Sequence, residues 1–225
     1  MELTPSAHKD TFARENLPPQ ELWPDFEFTI EDVHYPTKLN AGSELIDGAV
    51  EKFGADALAF ATPEGKKYTY GQMQSWANRI ANVLVDTYGI VPGNRVMLRS
   101  PNNPETVACW LAVLKAGAIV VTTMHALRAG EIVPLITKTR PQLALADHRF
   151  ADEMRAAMKL DLNDTPSAPV VAFGGAEEDD LMSQAAQASD HFNAVQTAAD
   201  DLALFGPTSG TTGVPKITMH FHRDI

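Results

Sequence analysis

The segment from Thr208 to Lys216 has the residue types that bind phosphate groups. Its first eight positions carry four hydroxyl side chains and two glycines, and a lysine follows directly. Glycines allow backbone N–H groups to approach a ligand closely and form a concave nest, and hydroxyl groups donate further hydrogen bonds. A lysine ammonium adds a mobile positive charge that suits phosphate oxygens. The segment therefore predicts a polyphosphate site.

Two other interpretations of this segment follow from the residues alone. The common P-loop has Gly-Lys-Ser/Thr at the start of a helix, whereas Val214 and Pro215 separate Gly213 from Lys216 here. Pro215 also has no backbone N–H to offer a phosphate. This spacing argues against a P-loop phosphotransferase. A stretch rich in Gly, Ser and Thr is also typical of an exposed turn that binds nothing.

The elements before this segment alternate between helices and strands. Thr69 and Gln72 form a capping box, and apolar residues at helical spacing then predict a helix that ends near Gly89. Strands are predicted at 95–99, 118–121, 143–146, 169–173 and 202–205, with helices after Pro104, at 129–138 and at 150–158. Short connections in this order imply right-handed crossovers. The sequence therefore predicts an α/β fold, a mostly parallel sheet flanked by helices.

Two tracts do not fit this alternation. Residues 1–40 are rich in proline and aromatic residues without a regular period, which indicates an arm that lies across a larger body with Trp and Phe as anchors. Residues 176–190 begin with four acidic residues at 177–180. We expect a solvated helix there, with acidic residues near the positive end of its dipole rather than at a metal.

The composition is that of a globular protein and excludes several classes. Apolar residues make up 44% of the 225, and 18 basic against 29 acidic side chains give a formal charge of −11. An acidic chain with scattered Lys and Arg repels nucleic acid. The longest uncharged apolar stretch, 116–123, is shorter than the roughly 20 residues of a membrane span. The single cysteine and the absence of a signal-peptide pattern favour a cytoplasmic protein without membrane or nucleic-acid partners.

Several further residues have a candidate role and a plainer alternative. His220 and His222 are two positions apart and would share one face of a strand, a spacing that is possible for two metal ligands. A strand that binds no metal is the favoured interpretation. Cys109 lies on an apolar helix face and predicts a buried thiol rather than a nucleophile. His125 and Arg128 follow a buried strand, where open sheets place ligands, although an exposed loop is favoured.

The order Thr-Ser-Gly-Thr-Thr-Gly-Val-Pro-Lys at 208–216 resembles, position for position, the signature loop of the adenylate-forming (AMP-binding) superfamily. This superfamily includes acyl-CoA synthetases, beetle luciferases and peptide-synthetase adenylation domains. The segments 68–73 and 114–118 resemble two upstream motifs, and the tract from Phe12 to Pro24 resembles the leaders of aminobenzoate-CoA ligases. The resemblance implies that 41–225 is the first part of the large N-terminal domain of such an enzyme and ends just after the phosphate-binding loop.

The resemblance also implies an activity and its reactants. The carboxylate of an aromatic acid such as 2-aminobenzoate attacks the α-phosphorus of ATP and releases diphosphate, and the coenzyme A thiol then attacks the acyl adenylate and releases AMP. The loop residues would contact the β- and γ-phosphates and position them without covalent chemistry. These contacts are expected from Thr208, Ser209, Gly210, Thr211, Thr212 and Gly213, with Lys216 as a supporting charge.

Other parts of the superfamily's machinery come after this loop: the adenine-binding segment, the Mg²⁺ ligand, the ribose-binding aspartate and the catalytic lysine. We therefore expect no catalytic or metal-binding residue within the 225 residues and no activity from this chain alone. Sheet edges that pair elsewhere in the whole enzyme would favour self-association. The alternative is a non-catalytic nucleotide-binding or regulatory module that has kept the loop.

Overall fold

The computed structural model of the chain describes residues 3–30, 33–208 and 215–225. Its strands are β1 (Leu58–Ala61), β2 (Lys67–Thr69), β3 (Arg95–Arg99), β4 (Ile119–Thr123), β5 (Leu143–Asp147), β6 (Val170–Phe173), β7 (Leu202–Thr208) and β8 (Lys216–Phe221). Its α-helices are α1 (Phe12–Glu15), α2 (Ala41–Phe53), α3 (Tyr70–Asn82), α4 (Pro104–Lys115), α5 (Ala129–Thr139), α6 (Ala151–Ala157) and α7 (Leu181–Gln187). Among these residues, no helix combines the length and apolar character that crossing a membrane requires.

The main sheet has six strands within the described residues, in the order β6-β5-β3-β4-β7-β8. Neighbouring strands are parallel except for β7 and β8, which are antiparallel. The predicted α/β fold with a mostly parallel sheet is confirmed. Because β4 lies on one side of β3 and β5 on the other, the chain reverses its course across the sheet here. The topological switch point therefore lies between β3 and β5, and open α/β sheets bind ligands at the carboxyl ends of their strands.

Helices cover both faces of the sheet. Successive strand residues point to opposite faces, so Val96 and Val120 belong to one apolar cluster, and Met97 and Val121 belong to another. The first cluster also contains buried residues of α2, α3, α4 and α7, and the second contains those of α5 and α6. This arrangement buries the parallel strands on both sides and leaves the carboxyl edge of the sheet for ligands.

α3 begins where the capping box predicts. The Thr69 Oγ1 accepts a hydrogen bond from the Gln72 N–H at 3.2 Å, and the Gln72 Oε1 accepts one from the Thr69 N–H at 2.9 Å. A π-helical turn, Val83–Thr87, follows the α-helix. The chain then leaves the helical path at Gly89, whose φ of +65° favours glycine.

The helix predicted over 176–190 was wrong in extent, because α7 covers only Leu181–Gln187. The carboxylate of Asp180 accepts hydrogen bonds from the Met182 N–H at 2.8 Å and from the Gly175 N–H at 2.7 Å. This capping makes Asp180 the residue before the helix. The acidic residues 177–179 therefore precede the helix, and the carboxylate that caps its first turn is that of Asp180.

A buried ion pair joins three helices on one face of the sheet. The Lys115 side chain of α4 is 1% exposed, and its ammonium lies 2.7 and 2.8 Å from the two carboxylate oxygens of Asp47 in α2. Ser43 of α2 and Gln74 of α3 also donate hydrogen bonds to Asp47, at 2.6 and 2.9 Å. The buried ammonium is thus paired with a carboxylate that accepts further hydrogen bonds, as burial of a lysine requires.

The larger body on which the arm lies is the α/β domain of the same chain. Leu17, Trp23 and Phe26 pack against the cluster on the α5 and α6 face, and the Trp23 ring lies 6.1 Å from the Phe221 ring between centroids. Asp10 of the arm also pairs with Arg95 of β3, at 2.6 Å. The aromatic anchors are thus confirmed. The division into an arm of residues 1–40 and a domain of residues 41–225 stays a prediction.

Candidate functional site

The two ends of the predicted phosphate segment lie at the carboxyl edge of the parallel sheet. Thr208 is the last residue of β7 and Lys216 is the first residue of β8, and the two are paired across the antiparallel ladder. Both residues are exposed. The other predicted site residues lie outside the described residues: Ser209, Gly210, Thr211, Thr212 and Gly213. Residues 209–214 therefore connect two strands whose ends are fixed at a ligand-binding edge.

A polar chain on one face of the β7–β8 pair supports these strand ends. The Thr218 hydroxyl donates a hydrogen bond to the Gly206 carbonyl at 2.8 Å, and the His220 Nε2 lies 3.0 Å from the same hydroxyl oxygen. A Cβ at Gly206 would lie 2.6 Å from the Thr218 Oγ1. Gly206 thus allows the Thr218 side chain to approach β7 closely. Because the Thr218 hydroxyl donates its proton to the Gly206 carbonyl, its oxygen accepts a hydrogen bond from the His220 Nε2–H.

A second lysine lies at the carboxyl-terminal end of the phosphate segment. The ammonium of Lys138, in the last turn of α5, donates a hydrogen bond to the Pro215 carbonyl. Lys138 and Lys216 are both exposed and place two positive charges near this end of the segment. Two ammonium groups favour a polyanion there, although the chain as a whole is acidic. Nothing in the residue pattern of α5 distinguishes Lys138 from an ordinary C-terminal lysine, so its role could not be predicted.

A cavity of about 790 Å³ opens at the carboxyl edge of the sheet, beside the phosphate segment. We call it the edge cavity. It lies between the carboxyl ends of β3, β4 and β7, the N-terminal halves of α4 and α5, and Pro215, which precedes β8. Its walls are Leu98, Ser100, Asn102, Thr106, Val107, Trp110, Thr122, Thr123, Met124, Leu127, Gly130, Glu131, Pro134, Leu135, Pro207, Thr208 and Pro215. No sequence pattern marks these residues as a group, because they come from five separate elements and the loops that follow them.

Arg99 holds one wall of this cavity in place. Its guanidinium is buried and donates hydrogen bonds to four carbonyls, those of Met124, His125, Leu127 and Phe150. The first three carbonyls belong to the loop between β4 and α5, which contributes Met124 and Leu127 to the cavity. The local sequence signal for this role of Arg99 was its charge at the end of a buried strand.

The residues singled out beside β4 lie in an exposed loop, as the favoured interpretation predicted. His125 and Arg128 are exposed. The His125 ring packs against Phe150 with centroids 4.9 Å apart, and Arg128 forms an ion pair with Glu153 at 3.2 Å. Cys109 is fully buried in α4, and burial raises the pKa of its thiol. The predicted burial of Cys109 is confirmed.

The two histidines near the end of the chain do not share a strand face. His220 lies in β8, whereas β8 ends at Phe221 and His222 follows it. The His222 side chain is 1% exposed, and its Nδ1 accepts a hydrogen bond from the Ala41 N–H at 3.1 Å. Burial lowers the pKa of His222 to about 4. His222 is therefore a neutral structural residue that ties the end of β8 to the start of α2.

The described residues do not form a metal centre of the usual kind. Within 3–30, 33–208 and 215–225, no group of three or more His, Cys, Asp or Glu side chains could hold a metal ion. The hydroxyl and lysine groups at Thr208 and Lys216 suit phosphate oxygens rather than a cation.

The chain matches one enzyme family over most of its length. The family described as "AMP-binding enzyme" matches residues 46–225. A 3-hydroxybenzoate/4-hydroxybenzoate–CoA ligase of Thauera aromatica is 28% identical over 204 residues, which cover 87% of this chain and 37% of the relative. A benzoate–CoA ligase of the same organism is 26% identical, over 89% of this chain and 37% of the relative. The chain thus spans about 37% of the length of these curated relatives.

Solved structures share the fold. The anthranilate CoA ligase AuaEII in complex with anthranoyl-AMP superposes with a TM-score of 0.76 at 23% identity, over 86% of this chain and 37% of that protein. ATP-bound MatB from Rhodopseudomonas palustris superposes with a TM-score of 0.69 at 29% identity, over 81% of this chain and 35% of that protein. At 23% identity, the likeness to the anthranilate CoA ligase concerns the fold alone.

Proposed function

Because the chain belongs to the family of AMP-binding enzymes, we propose that it forms the phosphate-binding part of an AMP-forming carboxylate–CoA ligase. The observation that carries this proposal is the position of the segment between Thr208 and Lys216. It joins β7 to β8 at the carboxyl edge of the parallel sheet, beside the edge cavity. The match to the AMP-binding family supports a nucleotide substrate that is cleaved to AMP. The names of the relatives support coenzyme A as the acyl acceptor.

In this proposal the segment binds and orients the ATP triphosphate. Attack of a carboxylate on the α-phosphorus transfers negative charge to the leaving diphosphate, so donors and cations near the β- and γ-phosphates stabilise the transition state. Lys216 and Lys138 supply positive charge at one end of the segment. The hydroxyl groups and glycine N–H groups of residues 208–213 donate hydrogen bonds, and no residue of the segment takes part in a covalent step.

An aromatic acid such as 2-aminobenzoate is the proposed carboxylate. Two relatives act on benzoate or hydroxybenzoates by name, which supports an aromatic substrate. The resemblance of residues 12–24 to the leaders of aminobenzoate-CoA ligases supports the amino-substituted acid. ATP and coenzyme A are the other reactants, and the resemblance places the Mg²⁺ ligand outside this chain.

The test is an assay of AMP release by the whole enzyme with ATP, coenzyme A and a panel of benzoate, aminobenzoates, hydroxybenzoates and acetate. Lys216→Ala should lower kcat/KM for ATP by about tenfold or more, because a charge-assisted phosphate contact is lost. Lys67→Ala, at an exposed lysine of β2, is the matched control and should have little effect. Nucleotide binding without carboxylate-dependent AMP release would favour the non-catalytic module instead.

The 225-residue chain alone should form no acyl adenylate. The resemblance places the groups that hold adenine, ribose and Mg²⁺ later than the phosphate segment. Carboxylate-dependent exchange of labelled diphosphate into ATP measures this reaction directly. Exchange by the purified chain above the rate of a buffer blank would refute the expectation.

A further inference from the structure

The N-terminal arm contacts the β7–β8 pair at the end opposite the phosphate segment. Leu202 begins β7 and pairs with Phe221, the last residue of β8. Directly before β7, the Asp200 carboxylate accepts a hydrogen bond from the Thr4 N–H of the arm at 2.8 Å. The phosphate segment joins the other ends of the same two strands. The arm and the phosphate segment are therefore linked through one pair of strands.

Asp201 is the main polar contact between the arm and these strands. Its side chain is fully buried. Its carboxylate accepts hydrogen bonds from the Ser6 hydroxyl, from the Ala7 N–H at 2.9 Å and from the Arg14 guanidinium at 3.3 Å. The Asp201 carbonyl also accepts a hydrogen bond from the His222 N–H at 3.0 Å, directly after β8. The buried carboxylate thus depends on donors from the arm, and the same residue is bonded to the end of β8.

Aromatic side chains of the arm pack against the end of β8. The Trp23 ring lies 6.1 Å from the Phe221 ring and 6.4 Å from the Phe26 ring, between centroids. The Arg223 guanidinium lies over the rings of Phe221 and Phe26, at 5.1 and 5.0 Å. Aromatic pairs and cations over aromatic faces both stabilise such packing. The arm therefore fixes the end of β8 by its side chains as well as through Asp201.

β8 connects this contact directly to the phosphate segment. Within the part of the chain that the structure describes, β8 pairs with β7 and with no other strand. Lys216 and Phe221 are its two ends, about 17 Å apart at roughly 3.4 Å per residue. Because the ladder to β7 keeps β8 in one register, a displacement at Phe221 also moves Lys216. A shift of about 1 Å in a group that binds a reactant can lower the rate of a reaction by about a hundredfold.

We propose that the N-terminal arm positions Thr208 and Lys216 for the ATP phosphates through the β7–β8 pair, and this inference rests on the proposed ligase function. Arg14 and Trp23 are then positioning residues for nucleotide binding. They touch Asp201 and Phe221 at the far ends of the strands, and they act on the nucleotide through the strands alone. Loss of either contact weakens ATP binding more than it slows the chemical step.

The arm contains a matched control in its contact with β3. The Phe12 ring lies 4.6 Å from the Arg95 guanidinium and 5.7 Å from that of Arg140. Arg95 is the first residue of β3, and β4 separates β3 from β7. Phe12 and Trp23 are both half-buried aromatic residues of the arm. Phe12→Ala therefore removes a comparable ring from the arm without a contact to β7 or β8.

The experiment measures ATP binding by calorimetry and the KM for ATP by AMP release, both with the whole enzyme. Trp23→Ala and Arg14→Met should each raise the Kd and the KM for ATP by about fivefold, with a smaller change in kcat. Trp23→Phe keeps an aromatic ring against Phe221 and should restore most of the affinity, and Phe12→Ala should stay within about twofold of the wild type. Unchanged ATP affinity in Trp23→Ala and Arg14→Met, or an equal loss in Phe12→Ala, would overturn the proposal.

Two further measurements separate this proposal from folding and from the ligase function. Thermal unfolding shows whether each variant is folded at the assay temperature, and Ser6→Ala, which removes one donor to Asp201, replaces a variant that is not. Calorimetry with ATP alone needs no ligase activity. Weakened ATP binding in the variants together with no AMP release from the wild type would support the role of the arm and refute the ligase. AMP release by the wild type with unchanged variants would refute the role of the arm alone.

Discussion

Protonation of His222 should destabilise the folded chain in mild acid. The buried imidazole accepts a hydrogen bond from the Ala41 N–H through Nδ1, and this nitrogen loses its acceptor capacity when it binds a proton. Its Nε2 is buried without a partner. Burial lowers the pKa of His222 from 6.5 to about 4, with a smaller contribution of the same sign from His8 and an opposing one from Asp201.

The sign and size of the effect follow from proton linkage. The unfolded chain binds a proton at His222 below about pH 6.5 and the folded chain does so only below about pH 4, so stability falls as the pH is lowered between these values. At about 1.4 kcal/mol for each pH unit, the loss reaches about 3 kcal/mol near pH 4. Above pH 6.5 the contribution is fully present.

The assay is urea unfolding of the wild type and of His222→Asn across this pH range. The asparagine Oδ1 takes the position of Nδ1 as the acceptor for the Ala41 N–H, and asparagine does not titrate. The free energy of unfolding of the variant should fall less with acid, by about 3 kcal/mol at the acid end. His191→Asn, at an exposed histidine, is the control and should follow the wild type. Parallel profiles for His222→Asn and the wild type would refute this account.

Three other outcomes are expected. Gly206→Ala should destabilise the β7–β8 pair by about 1–3 kcal/mol, because its Cβ would lie 2.6 Å from the Thr218 hydroxyl, and Thr218→Ala in the same chain should restore part of the loss in a double-mutant unfolding cycle. Asp47→Ala should cost about 3–5 kcal/mol because it leaves the Lys115 ammonium buried without its partner, whereas Asp47→Ala with Lys115→Met should recover much of that stability; equal losses in the single and double variants would contradict this. The outer strands β6 and β8 predict concentration-dependent self-association, and sedimentation as monomer at all micromolar concentrations would count against it.

Local signals in the sequence were sufficient where neighbouring residues decide the structure. The start of α3 follows from the reciprocal hydrogen bonds of Thr69 and Gln72, which are three positions apart. The strands were predicted from continuous apolar runs and the parallel sheet from their alternation with helices. The position of the helix cap was harder to predict. The cap of α7 is Asp180 rather than one of the earlier acidic residues, and its carboxylate also accepts a hydrogen bond from the Gly175 N–H.

The residues of the candidate site also fall into those that a local pattern predicts and those that depend on distant contacts. The phosphate segment is a prediction from composition and order, because hydroxyls, glycines and a lysine act through their own backbone and side chains. The positions of Lys138 and His222 could not be predicted, since their contacts lie 77 and 181 positions away in the chain. Such contacts depend on which strands become neighbours, and that order is not encoded in any short stretch.

By itself, then, the sequence determined the α/β class and most helix and strand positions, and it predicts phosphate binding by residues 208–216. Tertiary structure alone decided that β3, β4 and β7 lie side by side, which brings the walls of the edge cavity together. It also decided that Arg99 orders one wall of that cavity through four carbonyls. The physical reason is that caps and periodicity act within a few residues, whereas a cavity exists only once distant elements have packed together.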